Sequence, residues 1–326
     1  MKICIYGAGA IGGHIAALLG QSDEEVSLVA RGAHLAAIKQ NGLRLRRDGE
    51  EIVARLPATD DPASLGVQDY IVVTLKSHQL PGTVAAMQPL LGPQTAVVTA
   101  MNGIPYWYFH GLKGEYAGQR IEAVDPGGTV WDALAPKRVI GCVVYTALEV
   151  KEPGLVVHES GDRYSLGEPD GSKSERALAL GKAMSAAGLK APVKTNIRDE
   201  LWLKLWGNLS FNLISVLTHG QLEQMASEPG TRAIARAMMV EAQTIAELLG
   251  VRFAVDVDRR LDMSKAVGPH KPSTLQDLER GRPMEVDALL TSVQEMGVLT
   301  GTPTPTIDLI LTLVQQRARN AGLYPT

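Results

Sequence analysis

The chain is short of cysteine, of aromatic residues and of any surplus of one charge, and each shortage narrows what it can be. Its two cysteines, Cys4 and Cys142, stand far apart in apolar, strand-like runs. That pattern points to buried free thiols in a reducing compartment rather than to a disulfide or a metal pair. The net charge is only −3, and basic residues are spread along the chain apart from Arg44-Leu-Arg-Arg47, which argues against a nucleic-acid surface. No apolar stretch reaches membrane-spanning length, and the sequence opens on a strand-like run that leaves no room for a signal peptide, so a cytoplasmic protein is expected. With 326 residues, 45% of them hydrophobic, the chain can bury a sizeable core and most simply forms two domains.

Against these absences stands a glycine motif in its required setting. Lys2-Ile-Cys-Ile-Tyr6 reads as a buried strand, runs into Gly7-Ala8-Gly9-Ala10-Ile11-Gly12, and is followed by the helical pattern Gly13 to Leu19. Strand, glycine loop and helix together are the fingerprint of a Rossmann-type dinucleotide-binding domain. Gly7 permits the tight turn, Gly9 lets backbone N–H groups approach a pyrophosphate, and Gly12 allows close helix–strand packing, while the helix N-terminus favours the phosphate charge. The six residues Gly7 to Gly12 are therefore expected to bind the cofactor. At the end of the next strand, Glu25 to Ala30, an NAD-binding domain usually carries a carboxylate for the ribose hydroxyl; here Arg31 follows Ala30. A guanidinium can pair with a 2′-phosphate that a carboxylate would repel, so NADP(H) is the expected cofactor.

Strand and helix continue to alternate through the first half. Tyr70 to Leu75 and Thr95 to Thr99 are β-branched runs separated by a helical reading of Gln79 to Leu91, which implies a parallel sheet. Lys76 and Asn102 follow the two strands, at the carboxyl ends where open α/β sheets bind ligands. Val139 to Tyr145 and Gly154 to Glu159 read as strands extending the sheet, with His158 an ordinary strand histidine. Beyond Pro192-Val-Lys-Thr195 the composition turns helical, with amphipathic segments at Thr231 to Leu249 and Ser273 to Gly297. The fold class is thus α/β, an N-terminal Rossmann-type domain over 1–195 followed by an all-α domain over 196–326. Ser273 reads as a helix N-cap. Glu285, about three turns further along the same helix, reads from spacing as a surface position.

The second domain carries the more specific signal. Lys204, Asn208 and Asn212 recur every four residues within Arg198 to Ile214, and a step of four at about 100° per residue drifts only about 40°, so they form one stripe on a helix. The flanking Leu, Trp, Phe and Ile residues should bury that helix, and polar groups in a buried helix need partners or a ligand.

The glycine loop, Thr74-Leu-Lys76, Asn102-Gly103, the helix Glu200-Leu-Trp-x-Lys-Leu-x-x-Asn-x-x-x-Asn212 and Ser273-x-Leu-Gln-Asp…Glu285 together resemble the ketopantoate reductases. The resemblance spans nearly the whole chain. It implies an NADPH-binding Rossmann domain, a helical domain, and a substrate lying between them. By the same resemblance Lys204 is the proton donor, Asn208, Asn212 and Ser273 bind substrate, and Asn102 touches cofactor and substrate. Lys76 and Ala147 contact the cofactor, Ala147 on the nicotinamide side, and Glu285 sits near the reacting centre as a catalytic residue that also contacts the cofactor.

The chemistry agrees. Hydride arriving at the C2 carbonyl of a 2-keto acid leaves negative charge on oxygen, which a lysine ammonium can stabilise and protonate. Partial burial would lower its pKa toward the working range, and Glu285 would oppose that shift by holding the ammonium. Two features depart from the family pattern: Leu213 follows Asn212 where proline is frequent, and the connection from Ile104 to Pro136 is long and holds Tyr106-Trp-Tyr-Phe109. That aromatic run reads either as surface packing or a homodimer contact, or as a lid or wall that reshapes the pocket for another 2-keto acid. A related hydroxyacid, glycerol-3-phosphate or opine dehydrogenase, and an NADPH sensor without turnover, are the competing readings.

Overall fold

The computed structural model describes residues 1–324. The chain divides into two compact units, the first made of Met1–Met101, Trp107–Arg120 and Gly127–Ile197, the second of Asn102–Tyr106, Ile121–Pro126 and everything from Arg198 onward. Two short segments that lie within the first half of the sequence therefore belong to the second unit.

The first unit is built on a nine-stranded sheet: β1 (Lys2–Tyr6), β2 (Glu25–Val29), β3 (Leu43–Arg47), β4 (Glu50–Ala54), β5 (Ala58–Thr59), β6 (Gln68–Val73), β7 (Leu91–Thr99), β8 (Val139–Glu152) and β9 (Leu155–Gly167). Their order is β4-β3-β9-β8-β7-β6-β1-β2-β5. β1 lies parallel to β2 and β6, and β7 parallel to β6 and β8, as the alternation of strand and helix predicts. Only the hairpins β3–β4 and β8–β9 are antiparallel. The central strands carry apolar runs where both faces are covered; Ile3, Cys4 and Ile5 are wholly buried. Both cysteines are buried free thiols. Helices α1 (Ala10–Leu19), α2 (Gly32–Asn41), α3 (Val84–Met87), α4 (Thr129–Leu134) and α5 (Glu175–Ala186) complete the unit.

Two sequence expectations give way here. The stretch from Gln79 to Leu91 holds a single α-helical turn, α3, between short 3₁₀ turns, because Pro81 and Pro89 each remove a backbone donor. The aromatic run packs inward and is no exposed lid: Tyr106, Trp107, Tyr108 and Phe109 are all buried, and the Trp107 indole donates to Thr99 Oγ1 at 2.8 Å.

The second unit is helical. α6 (Ile197–Gly207) passes through a wide π-turn at Asn208–Asn212 into α7 (Leu213–Thr218), followed by α8 (Leu222–Ser227), α9 (Pro229–Leu248), α10 (Val257–Ala266) and α11 (Ser273–Glu279). A second π-turn at Asp287–Thr291 leads into α12 (Ser292–Thr300), and α13 (Pro305–Asn320) closes the described chain. The expected helix from Ser273 to Gly297 is thus interrupted. Gly281 and Pro283 stop it after α11, so Glu285 lies in an irregular stretch just before the second π-turn and is 6% exposed rather than on a helix surface. Ser273 is the first helical residue of α11, with Pro272 at the N-cap position.

Candidate active site

In the first unit the glycine loop is held from two sides. Adding a Cβ at Gly12 would drive it into the Gly7 carbonyl oxygen, so only glycine lets α1 start this close to β1. The Thr74 hydroxyl, just past β6, donates to the same Gly7 oxygen at 2.5 Å. His34 contacts the Ala8 carbonyl from the other side. Ala8 and Gly12 are buried, whereas Gly9 is exposed and Ala10 and Ile11 are partly so. Gly9 is the extended N-cap of α1 with no side-chain cap, and a Cβ there would meet no heavy atom within 4 Å. An open loop at an uncapped helix N-terminus fits a dinucleotide pyrophosphate. Arg31 is exposed at the N-cap of α2, Lys76 is half-buried where β6 gives way to a 3₁₀ turn, and Ala147 is partly exposed on β8 at a shift in register with β9.

In the second unit the helix through α6, the π-turn and α7 is almost entirely buried between Leu201 and Val216. The half-exposed positions are Leu203, Lys204, Asn208 and Asn212. The polar stripe is thereby real. Its alignment owes something to the π-turn, which advances fewer degrees per residue than an α-helix and so opposes the forward drift of a four-residue step. Behind the stripe, Trp202 and Trp206 are fully buried, and Trp206 stacks on Phe253 with ring centroids 3.9 Å apart. Asp199 and Glu200 occupy the first turn, where they favour the helix dipole, and Asp199 also accepts the Arg252 N–H at 2.9 Å.

Lys204 meets the residues that the sequence placed far from it. Its ammonium donates to Asn102 Oδ1 at 2.6 Å, and Asn102 Nδ2 donates to Glu285 Oε2 at 3.5 Å. The partners fix the orientation of the amide, since an ammonium can only donate and a carboxylate can only accept. Asn102 is held in place by its neighbours: Ile104 N–H donates to Ala288 O at 2.8 Å, and Gly103, at φ 81°, packs so closely on Ala288 that a Cβ would overlap its carbonyl. The second π-turn is thus the floor on which Asn102 rests. Separately, Asn212 Nδ2 donates to Ser273 Oγ at 3.4 Å, bringing together two residues expected to bind substrate. An ammonium held by an amide, with a buried carboxylate beyond it, can stabilise and protonate an oxyanion.

Sequence reasoning overlooked His34 and named Thr74 only as part of a motif. A hydroxyl immediately after a strand facing the glycine loop, and an imidazole three residues past Arg31, were the signals available.

The comparisons with known proteins point one way. The sequence matches the family described as "Ketopantoate reductase PanE/ApbA" over residues 3–171 and its C-terminal counterpart over residues 196–318. A 2-dehydropantoate 2-reductase of Mesorhizobium japonicum is 56% identical, over 99% of this chain and 100% of its own. A Ralstonia solanacearum structure, of a protein assigned as a ketopantoate reductase, superimposes with a TM-score of 0.94 at 40% identity, covering 99% of both chains. A D-mandelate dehydrogenase, solved with NADH and anilino(oxo)acetate, shares the fold at 22% identity and a TM-score of 0.84, over 99% of this chain and 100% of that one.

Proposed function

This chain belongs to the ketopantoate reductase family, and from that membership we propose that it reduces the C2 carbonyl of 2-dehydropantoate to the secondary alcohol of pantoate with NADPH, a step of pantothenate and coenzyme A biosynthesis. The observation that carries the reading is the contact of the Lys204 ammonium with Asn102, itself bonded to buried Glu285.

NADPH, when bound, supplies hydride to C2, and the rest of the work falls to side chains of this protein. Gly7 to Gly12 offer backbone N–H groups to the pyrophosphate, Arg31 pairs with the 2′-phosphate, and Lys76, Asn102, Ala147 and Glu285 complete the cofactor contacts. Lys204 stabilises the charge growing on the carbonyl oxygen and gives it a proton, so that ketone, hydride and proton balance as alcohol. Asn102 holds the ammonium through its carbonyl oxygen while Glu285 holds the amide, which keeps the donor aimed. Asn208, Asn212 and Ser273 receive the carboxylate and hydroxyl of the substrate, each offering donor and acceptor without another fixed charge. Residues 1–195, apart from the short segments 102–106 and 121–126 that join the second unit, then serve as the cofactor domain, and 196–326 as the catalytic domain.

The four aromatic side chains of residues 106–109 are buried in packing, so none of them is an exposed lid. No helix among the described residues is long and apolar enough to cross a membrane, which agrees with the cytoplasmic location we propose. A homodimer is proposed alongside it and is checked by light scattering.

The deciding experiment follows NADPH oxidation against a panel of 2-keto acids that includes ketopantoate. Ketopantoate should give the highest kcat/KM. Turnover of an unbranched or aryl 2-keto acid at higher kcat/KM would refute the substrate, and tight NADPH binding with no turnover of any keto acid would refute the enzyme.

A further inference from the structure

His34 takes no part in the reading above, yet both nitrogens of its ring are engaged. Nε2 lies 2.5 Å from the Ala8 carbonyl oxygen, and Nδ1 accepts the Gly154 N–H at 3.0 Å. A peptide N–H can only donate, so Nδ1 carries the lone pair and the neutral imidazole holds its proton on Nε2. The ring therefore donates to Ala8. Burial lowers the pKa of His34, against a smaller upward pull from the Ala8 carbonyl, which suits this neutral form. Gly154 is itself anchored in the turn between β8 and β9, where its carbonyl accepts the Arg44 N–H at 2.8 Å.

The bond to Ala8 matters because of what lies across the peptide. The Ala8–Gly9 peptide is planar and trans, so turning the Ala8 carbonyl toward His34 turns the Gly9 N–H the opposite way. Gly9 is the open position of the loop. His34 also sits in the first turn of α2, beside Arg31 at its N-cap. In α2 only Leu35 and Ile38 are buried, and Arg31 makes no side-chain cap.

We propose that His34 is a positioning residue for the cofactor, which by donating from Nε2 to Ala8 aims the Gly9 N–H at the pyrophosphate and holds the start of α2, with Arg31, in register with the glycine loop. The inference rests on the cofactor half of the proposed function. It adds a residue that touches neither substrate nor cofactor.

The test uses the full chain and measures NADPH binding by calorimetry without keto acid, together with KM and kcat. His34→Asn keeps an acceptor near the Nδ1 position but cannot reach Ala8, whereas His34→Gln places an amide N–H near the Nε2 position. His34→Asn should raise Kd and KM for NADPH about tenfold, the scale of one lost hydrogen bond, with kcat at saturation within about twofold of wild type. His34→Gln should recover most of that affinity. Wild-type affinity in His34→Asn, or equal weakness in His34→Gln, would overturn the proposal. So would an affinity loss matched in either variant by a fall in the unfolding temperature of the cofactor-free protein, which would make the role structural. If wild type does not bind NADPH, the proposed function fails first, and the two failures are thereby told apart.

Discussion

Removing the Lys204 ammonium takes away a charge and a proton at once, so Lys204→Ala should lower kcat by roughly 10²-fold or more. The glycine loop belongs to the other compact unit, so NADPH affinity measured by calorimetry should stay nearly unchanged. Unimpaired turnover would return the stripe to an ordinary helix face. Asn102 holds that ammonium at 2.6 Å, and a hydrogen bond to a charged group contributes about 1.5–3 kcal/mol. Asn102→Ala should therefore cost about 10- to 100-fold in kcat/KM for ketopantoate, checked by steady-state kinetics. Arg31 stands exposed at the start of α2, where it can meet a 2′-phosphate from solvent. Arg31→Ala should weaken NADPH much more than NADH, and equal losses for the two cofactors would remove Arg31 from the 2′-phosphate.

At the scale of elements, the Asn102 loop and the second π-turn act as one piece. Gly103→Ala adds a side chain at φ 81° and pushes against Ala288, a backbone cost of about 1–3 kcal/mol. Thermal unfolding should move down and kcat should fall with it, because Asn102 moves with its neighbour; a variant stable but fully active would show that the loop does not aim Asn102. The legibility of the sequence also divides by element. The strand, glycine loop and α1 were readable because every local preference there agrees, and the stripe of Lys204, Asn208 and Asn212 was readable because its spacing survives burial. Ser273 and Glu285 were joined in one helix because apolar periodicity resumes beyond Gly281 and Pro283, although those two residues end α11. That Asn102 meets Lys204 across 102 residues of sequence is not written in either motif. It comes from the packing of Gly103 and Ile104 on a π-turn that no periodicity marks.

For the molecule as a whole, one buried histidine links stability to pH. His14 on α1 is 0% exposed, bonds Tyr164 through Nδ1 at 2.7 Å and stacks on His158. Burial pushes its pKa down to about 3, and the neighbouring His158 and Arg47 push the same way while Asp162 opposes them. The unfolded chain takes up this proton near pH 6.5 and the folded chain does not, so the stabilising contribution is complete above about 6.5 and is lost as pH falls toward about 3. The slope it adds is at most about 1.4 kcal/mol per pH unit. Urea unfolding across that range should show the slope in wild type and a shallower one in His14→Gln. Identical slopes would mean that other groups carry the acid sensitivity.

The interleaving of the two units also sets an order of events during synthesis. Residues 102–106 and 121–126 leave the ribosome early, yet Ile104 needs the Ala288 carbonyl, and the N–H groups of Glu122 and Ala123 need the Glu295 carboxylate at 2.8 and 2.9 Å. At about 5–20 residues per second these segments wait roughly 10–40 s for their partners. The nascent chain thus carries the Asn102 loop unfinished while the sheet of the first unit can already form. A fragment ending at Thr195 leaves that wait without end, and one starting at Asn196 holds Lys204 with no Asn102 to receive it.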